Sequence, residues 1–292
     1  MKRLFVSAIV TVLTMSSLYA QDVKLGFRGG LNLPNIMAGG KNTPLSEGYS
    51  SRLATGWGLF TELQLNKTFS FRFGAEYSGM GGRKDGMQAM PTNRLITEIG
   101  SGLGLGMTPE QQMALGGMLL WSANTPYYYA DIKNTVKFDY VMIPLLAQLG
   151  RDLGTSPVRV YVNAGPFVSF LLSGKQASSG TSKMFADPSG TSTLWNVMPD
   201  EYKYGISAIF PQIEQILNEP VEYGSQNITG ELKSTNIGIN GNIGIRFQSK
   251  RNYIFLEAGG NYGFRTVQDD STNGSNRIGA ASVMLGYAFS LF

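Results

Sequence analysis

The 292-residue sequence contains neither cysteine nor histidine. The first absence removes disulfides and thiolate chemistry. The second removes the commonest general base and the commonest metal ligand, and with them the serine–histidine logic on which hydrolases of small barrels rely. Beyond the first residues there is no long apolar run that could span a membrane as a helix. No residue pattern points to a catalytic, cofactor or metal site. The formal charge is +4, and removing Lys2 and Arg3 with a leader leaves 22 basic against 20 acidic residues, or +2. That balance, without a basic stripe, excludes nucleic acid as a partner.

What is present starts with the leader. Lys2 and Arg3 precede an uncharged apolar run, Leu4 to Leu13, and Ser17-Leu18-Tyr19-Ala20 places small residues where a signal peptidase cuts. This pattern predicts a signal peptide over residues 1–20 and a mature chain from Gln21. The run is too short for a membrane helix, which needs about 20 apolar residues.

Residues 21–292 read as one β domain. Eight segments alternate apolar and polar residues at the strand period of two: Val23–Leu33, Ala54–Leu65, Phe69–Gly79, Lys137–Gly150, Val158–Ser173, Thr235–Phe247, Tyr253–Val267 and Ile278–Phe292. In the third, Phe69, Phe71, Phe73, Ala75 and Tyr77 share one face, while Ser70, Arg72, Gly74, Glu76 and Ser78 share the other. Alternation alone fits a soluble barrel, apolar inside, or a membrane barrel, apolar outside.

Three features favour the membrane barrel. Connections alternate short and long: Asn66–Thr68, Arg151–Pro157 and Ser249–Asn252 are tight, whereas Pro34–Leu53, Met80–Val136, Gly174–Ser234 and Gln268–Arg277 are not. Short turns on one side and long loops on the other are the habit of outer-membrane barrels. An even strand number returns both ends to the short-turn side, and closure removes the edges that hydrocarbon would leave unsatisfied. Finally, the chain stops on an apolar strand, with Val283, Leu285, Tyr287, Phe289 and Leu291 on one face. The expected fold is all-β: an eight-stranded antiparallel transmembrane β-barrel with long external insertions at about 80–136 and 174–234, both carrying short helices.

Several short motifs carry a family resemblance. They are Gly26-Phe27-Arg28-Gly29-Gly30-Leu31-Asn32, Phe73-Gly74-Ala75-Glu76-Tyr77, Ile143-Pro144-Leu145-Leu146, Asn163-Ala164-Gly165-Pro166 and Leu285-Gly286-Tyr287-Ala288-Phe289. With these the chain resembles the PorT-type outer-membrane β-barrel family of Bacteroidetes across its strands, though not its two long loops. The resemblance implies an outer-membrane location, no defined activity for most members, and for a few a place in the type IX secretion apparatus.

Pro144 sits inside the fourth strand of a barrel that has no edge, so a bulge is expected there, turning Lys137 and Asp139 to the other side. Pro166 poses the same problem in the fifth.

With apolar faces outward, the polar faces bring Lys24, Arg28, Glu62, Arg72, Glu76, Arg159, Arg246, Glu257 and Arg265 into a lumen wide enough only for side chains. There they are expected to pair as a plugging network, since an unpaired buried charge is costly. The rival reading is a narrow path for small solutes, selective for anions. Glu62 and Glu76 could form a carboxylate pair but are more simply explained as arginine partners.

Gly100-Ser101-Gly102-Leu103-Gly104-Leu105-Gly106 lacks the strand, lysine and βαβ context of a nucleotide loop. It leads into Thr108-Pro109-Glu110-Gln111, which predicts a helix start with a capping box. Met113, Leu115, Met118, Leu119, Leu120 and Trp121 then make that helix apolar on nearly every side. After Pro199, Ile206, Ile209, Phe210 and Ile213 fall at helical spacing, with Ile216 and Leu217 beyond Pro211, which should divide the helix in two. These residues are the candidates for partner binding, and packing of the two stretches on each other would cap the mouth. Asp270-Ser271-Thr272 matches a short O-glycosylation triplet. The functional expectation is a non-enzymatic barrel, cofactor-free, embedded in outer-membrane lipid after insertion by the barrel-assembly machinery, with an envelope protein as loop partner. A soluble periplasmic barrel holding an apolar ligand is the alternative from another class.

Overall fold

The computed structural model describes residues 22–38, 44–102, 108–270 and 275–291. The expected signal peptide, Leu103–Gly106, Ser271-Thr272 and Phe292 lie outside them. Eight long strands form one ring: β1 Asp22–Ala38, β2 Ala54–Gln64, β3 Phe69–Pro91, β4 Tyr127–Asp152, β5 Val158–Ser179, β6 Thr235–Ser249, β7 Asn252–Gly263 and β8 Asn276–Ser290. Each pairs antiparallel with the next, and β8 closes on β1 from Lys24 opposite Ser290 to Ala38 opposite Asn276. The all-β, eight-stranded fold expected from the alternation is the fold adopted.

The tight turns have local causes. Asn66 accepts from the backbone N–H groups of Thr68 and Phe69, both at 2.8 Å, and so shapes the β2–β3 turn. In the β6–β7 turn Lys250 takes the left-handed conformation (φ 52°) that a two-residue hairpin demands.

Side chains on the ring follow the membrane order. Phe27, Leu31, Trp57, Leu59, Leu145, Val162, Ile243, Leu256 and Leu285 are exposed on the outer face, while Arg28, Glu62, Arg72, Asn163, Asn242, Arg246 and Glu257 are buried within. Outward residues of β6 from Ile237 to Phe247 match the roughly 9–11 residues a strand needs to cross hydrocarbon. This is the inverse of a soluble barrel with an apolar ligand cavity. Among the described residues no helix is long and apolar enough to cross a membrane; the strands do so.

Three expectations are corrected. The connection expected over Met80–Val136 is strand at both its ends, since Met80 to Pro91 pairs with Phe138 to Tyr127, leaving residues 92–126 as the insertion. Past the membrane the outer solvent becomes water, and the pattern reverses on an unchanged parity. Ile132, Val136 and Phe138 point inward, while Asp131, Lys133 and Lys137 point out. Reading only the lipid-facing alternation therefore ends both strands too early.

Pro144, second, causes no shift: Phe73 opposite Leu145 and Glu76 opposite Met142 keep one register on either side of it. The irregularity lies instead in β5, where Asp139 faces Ser173 but Tyr140 faces Leu171. Leu172 is the extra residue, and Lys137 and Asp139 stay outside. Third, β7 ends at Gly263 rather than Val267.

Candidate functional site

The barrel interior has two tiers. Near the short turns the inward positions of β1, β2, β3, β6 and β7 bring Arg28, Glu62, Arg72, Glu76, Arg246 and Glu257 together, all buried. Arg28 donates to both oxygens of Glu76 (Nε to Oε1 2.9 Å, Nη2 to Oε2 2.7 Å) and through Nη1 to Glu257 (2.6 Å). Glu257 also accepts from Arg72, from the Tyr161 hydroxyl at 2.9 Å and from Asn163 at 3.0 Å. Glu62 accepts from Arg246 at 3.0 Å and Tyr253 at 2.5 Å, and lies 3.6 Å from Arg72 Nη2.

Arg72 lies under rings as well: its guanidinium carbon is 4.5 Å from the centre of Phe60 and 5.1 Å from that of Phe255. These rings fit because the residues beside them across the ladder are glycines. A Cβ on Gly26 would come within 2.3 Å of Phe60, and one on Gly286 within 2.2 Å of Phe255. With each carboxylate held by cations, Glu62 and Glu76 are not a free acid–base pair. Among the described residues no cluster of histidine, cysteine and carboxylates suits a metal ion.

The remaining residues expected in the lumen lie at the edge of this cluster or outside the lumen. Lys24 is buried at its lower edge, donating to Asp22 and to Gln64 (3.0 Å). Arg159 pairs with Asp152 at the β4–β5 turn (3.0 Å). Arg265 is not in the lumen: it lies beyond the end of β7, exposed, with Nη1 2.7 Å from the Thr235 hydroxyl.

The upper tier is apolar, against the expectation of a polar lumen throughout. Ile36, Met80, Val136, Phe138, Tyr140, Met142, Phe167 and Ile278 pack together inside the ring, joined by Ile228 and Val267 from the connections. The signal for this tier was in β4, where apolar residues move to inward positions above the lipid band.

Over the mouth lies a helical cap. It comprises α1 Thr92–Gly102 and α2 Pro109–Asn124 from the first insertion, and α3 Leu194–Val197, α4 Asp200–Ile209 and α5 Ile213–Asn218 from the second. Thr108 and Gln111 close the expected capping box at the start of α2. Pro211 separates α4 from α5 as expected. The two insertions share one core of Leu95, Ile96, Met118, Trp121, Leu194, Trp195, Met198, Ile206, Phe210, Ile213 and Leu217. Arg94 ties α1 to the Thr229–Glu231 turn by a two-pronged pair with Glu231 (2.9 and 3.1 Å), and Glu231 and Glu98 hold its pKa above the ordinary arginine value despite burial.

The residues expected to bind a partner therefore divide. Met118, Trp121, Ile206, Phe210 and Ile213 are consumed by the cap's own core, and Leu115 packs against it. Met113 (79% exposed), Leu119 and Leu120 (72%) face solvent. The Ile209 side chain lies outside the described ones. Tyr204 on α4 is also exposed (81%) and was missed, because it stands outside the apolar periodicity that marks the helix.

Comparison with known proteins places this geometry. No curated protein matches the sequence. Among solved structures the chain is similar to the attachment invasion locus protein Ail of Yersinia pestis, at 10% identity and TM-score 0.32, covering 92% of this chain and 100% of that one. It is similar to Neisserial surface protein A at 12% and 0.34, covering 91% and 97%. The outer membrane protease OmpT of Escherichia coli gives 8% and 0.42, covering 93% and 97%. Likeness at this level carries no functional argument. A family model does match, over residues 19–269, and it is described as an outer membrane protein β-barrel domain. The chain belongs to the outer-membrane protein β-barrel domain family.

Proposed function

We propose that the protein is a non-enzymatic binding component of the bacterial outer membrane, acting through its cap on a protein partner of the envelope. In this reading residues 1–20 are removed on export and the barrel-assembly machinery inserts the rest. The family motifs around Gly26–Asn32 and Leu285–Phe289 favour a PorT-like member from Bacteroidetes, with an assembly or secretion role.

One observation carries the proposal. The cap has a core of its own and yet leaves Met113 and Leu120 bare, seven residues apart and so on one face of α2. Large apolar side chains held in water by a folded element mark an interaction surface. A solute path is disfavoured by the ion-paired tier, whose buried Arg28, Glu62, Arg72 and Glu257 side chains meet across the interior.

The test is a Met113→Glu/Leu120→Glu variant, with a photo-crosslinker placed at Leu119 in both it and the parent. The variant should keep its boiled–unboiled gel shift and lose the crosslinked partner. Retention of the same crosslinks at the same yield would refute the proposal.

A further inference from the structure

Just above the lipid band, Lys137 of β4 stands directly opposite Lys175 of β5, both exposed on the outer wall. Like charges opposed across a ladder have Cβ atoms only about 5 Å apart and destabilise it. Their other cross-strand neighbours do not relieve this: Lys137 faces Gly81 on β3, and Lys175 faces Asn227. Arg83, diagonal to Lys137 through the pairing of Arg83 with Thr135, is exposed too. The guanidinium of Arg52 lies against Gly81, donating through Nη2 to Met80 O at 2.7 Å.

Carboxylates are scarce around these four cations. Along the two strands the outward positions flanking the lysines are Thr135, Asp139, Ser173 and Ala177. Asp139 accepts from Tyr77 at 2.5 Å and Ser173 at 2.6 Å, and its single charge is felt by Arg52, which leaves one carboxylate among four cations. Higher up, Asp85 stands opposite Lys133 across the ladder, with Asp131 beside it on the same strand. Among the described residues neither Lys137 nor Lys175 has an ion-pair partner.

The height of the cluster identifies what neutralises it. Two residues below Asp139 on the same face is Val141, and Leu172 and Phe170 below Ser173 are exposed apolar side chains. Trp57 and Tyr77, stacked at 5.7 Å, mark the same level, as interfacial aromatics do. An anion seated between Lys137 and Lys175 is therefore one whose acyl chains lie along Val141 and Leu172. We propose that Arg52, Arg83, Lys137 and Lys175 form a site for the phosphate groups of an anionic lipid in the outer leaflet. Ammonium and guanidinium groups suit phosphate oxygens, and partial desolvation at the interface strengthens the contact. This inference stands apart from the partner proposed for the cap.

The experiment is native mass spectrometry of the full-length barrel in non-ionic detergent, offered diphosphoryl lipid A or its dephosphorylated form. The parent should retain the phosphorylated lipid and not the other. A Lys137→Ser/Lys175→Ser variant should bind it about tenfold more weakly, whereas Lys133→Ser, which removes a cation that faces Asp85 across the ladder, should bind as the parent does. All variants are first checked for the boiled–unboiled gel shift. Equal retention of both lipids, or a Lys133→Ser loss as large as that of the double variant, would overturn the assignment.

Discussion

Arg72 on β3 and Glu257 on β7 meet across the barrel axis, joined by a charged hydrogen bond between strands that stand four places apart in a ring of eight. Adjacent strands are held by their ladders; this contact ties opposite walls. Glu257→Gln leaves Arg28 and Arg72 short of a carboxylate in a desolvated interior, and breaking a buried pair in this way costs about 3–5 kcal/mol. Urea titration of the gel-shifted form should show the loss. Glu76→Gln, which weakens only the Arg28 contact, should cost less.

On the lipid face, cost depends on depth. Ile243 lies near the middle of the outward run Ile237–Phe247, so Ile243→Arg should cost roughly 2–4 kcal/mol and reduce insertion into vesicles. Phe71 is only two residues from the start of β3, near the short turns. Phe71→Arg should therefore be close to neutral, about 0–1 kcal/mol. Equal losses for the two would contradict the placement of the lipid band.

The cap can be removed without touching the ladder if the cut respects the ribbon. Replacing residues 93–125 by a short Gly/Ser linker spares every β3–β4 pair up to Pro91 opposite Tyr127. The barrel should still insert and shift on gels, since a surface loop of altered length changes closure entropy little. Ile206, Ile213 and Trp195 would lose Met118 and Trp121 as neighbours, so residues 183–222 should become protease-sensitive. A barrel that fails to fold would show that the cap core is part of the scaffold.

Asp187 supplies a pH test outside the membrane. The Ser189 hydroxyl, then the Ser192 backbone N–H and Thr191, hold its carboxyl well below the usual aspartate range. A depressed folded value means that the turn's stabilisation is complete above the unfolded value of about 4 and is lost as pH falls through the folded one. Hydrogen exchange at the Ser192 amide should thus stay protected at pH 5 relative to Asp187→Asn, with the difference closing only in strong acid. An Asp187→Asn amide equally protected at pH 5 would contradict this.

The ring was legible because hydrocarbon imposes a strict period on the strands, and Phe69–Tyr77 and Ile237–Phe247 display it openly. The residues that meet inside were legible by parity: Arg28, Glu62, Arg72, Glu76, Arg246 and Glu257 all fall on inward positions and come together. Parity fails where a strand ends, which is why Arg265 lies outside. The upper tier was obscured for a different reason. Met80, Val136 and Phe138 are inward and apolar where the rule learned from the membrane segment demands polar, and only the change of outer solvent explains it. In the cap, helical spacing located the helices but could not distinguish core from surface on α2. Met118 and Met113 are alike as residues, and only the position of the second insertion decides which is covered.

The reversal of polarity along β4 also determines where the protein can act. Roughly a dozen residues of β4 beyond the lipid band, each advancing about 3.3 Å on a strand tilted by about 40°, raise the cap some ~30 Å above the bilayer. The paired strands form a rigid pedestal, fastened by a full ladder with β3 on one side and β5 on most of the other. At that elevation Met113 and Leu120 clear the headgroup layer, and a large folded macromolecule could reach them without approaching the membrane.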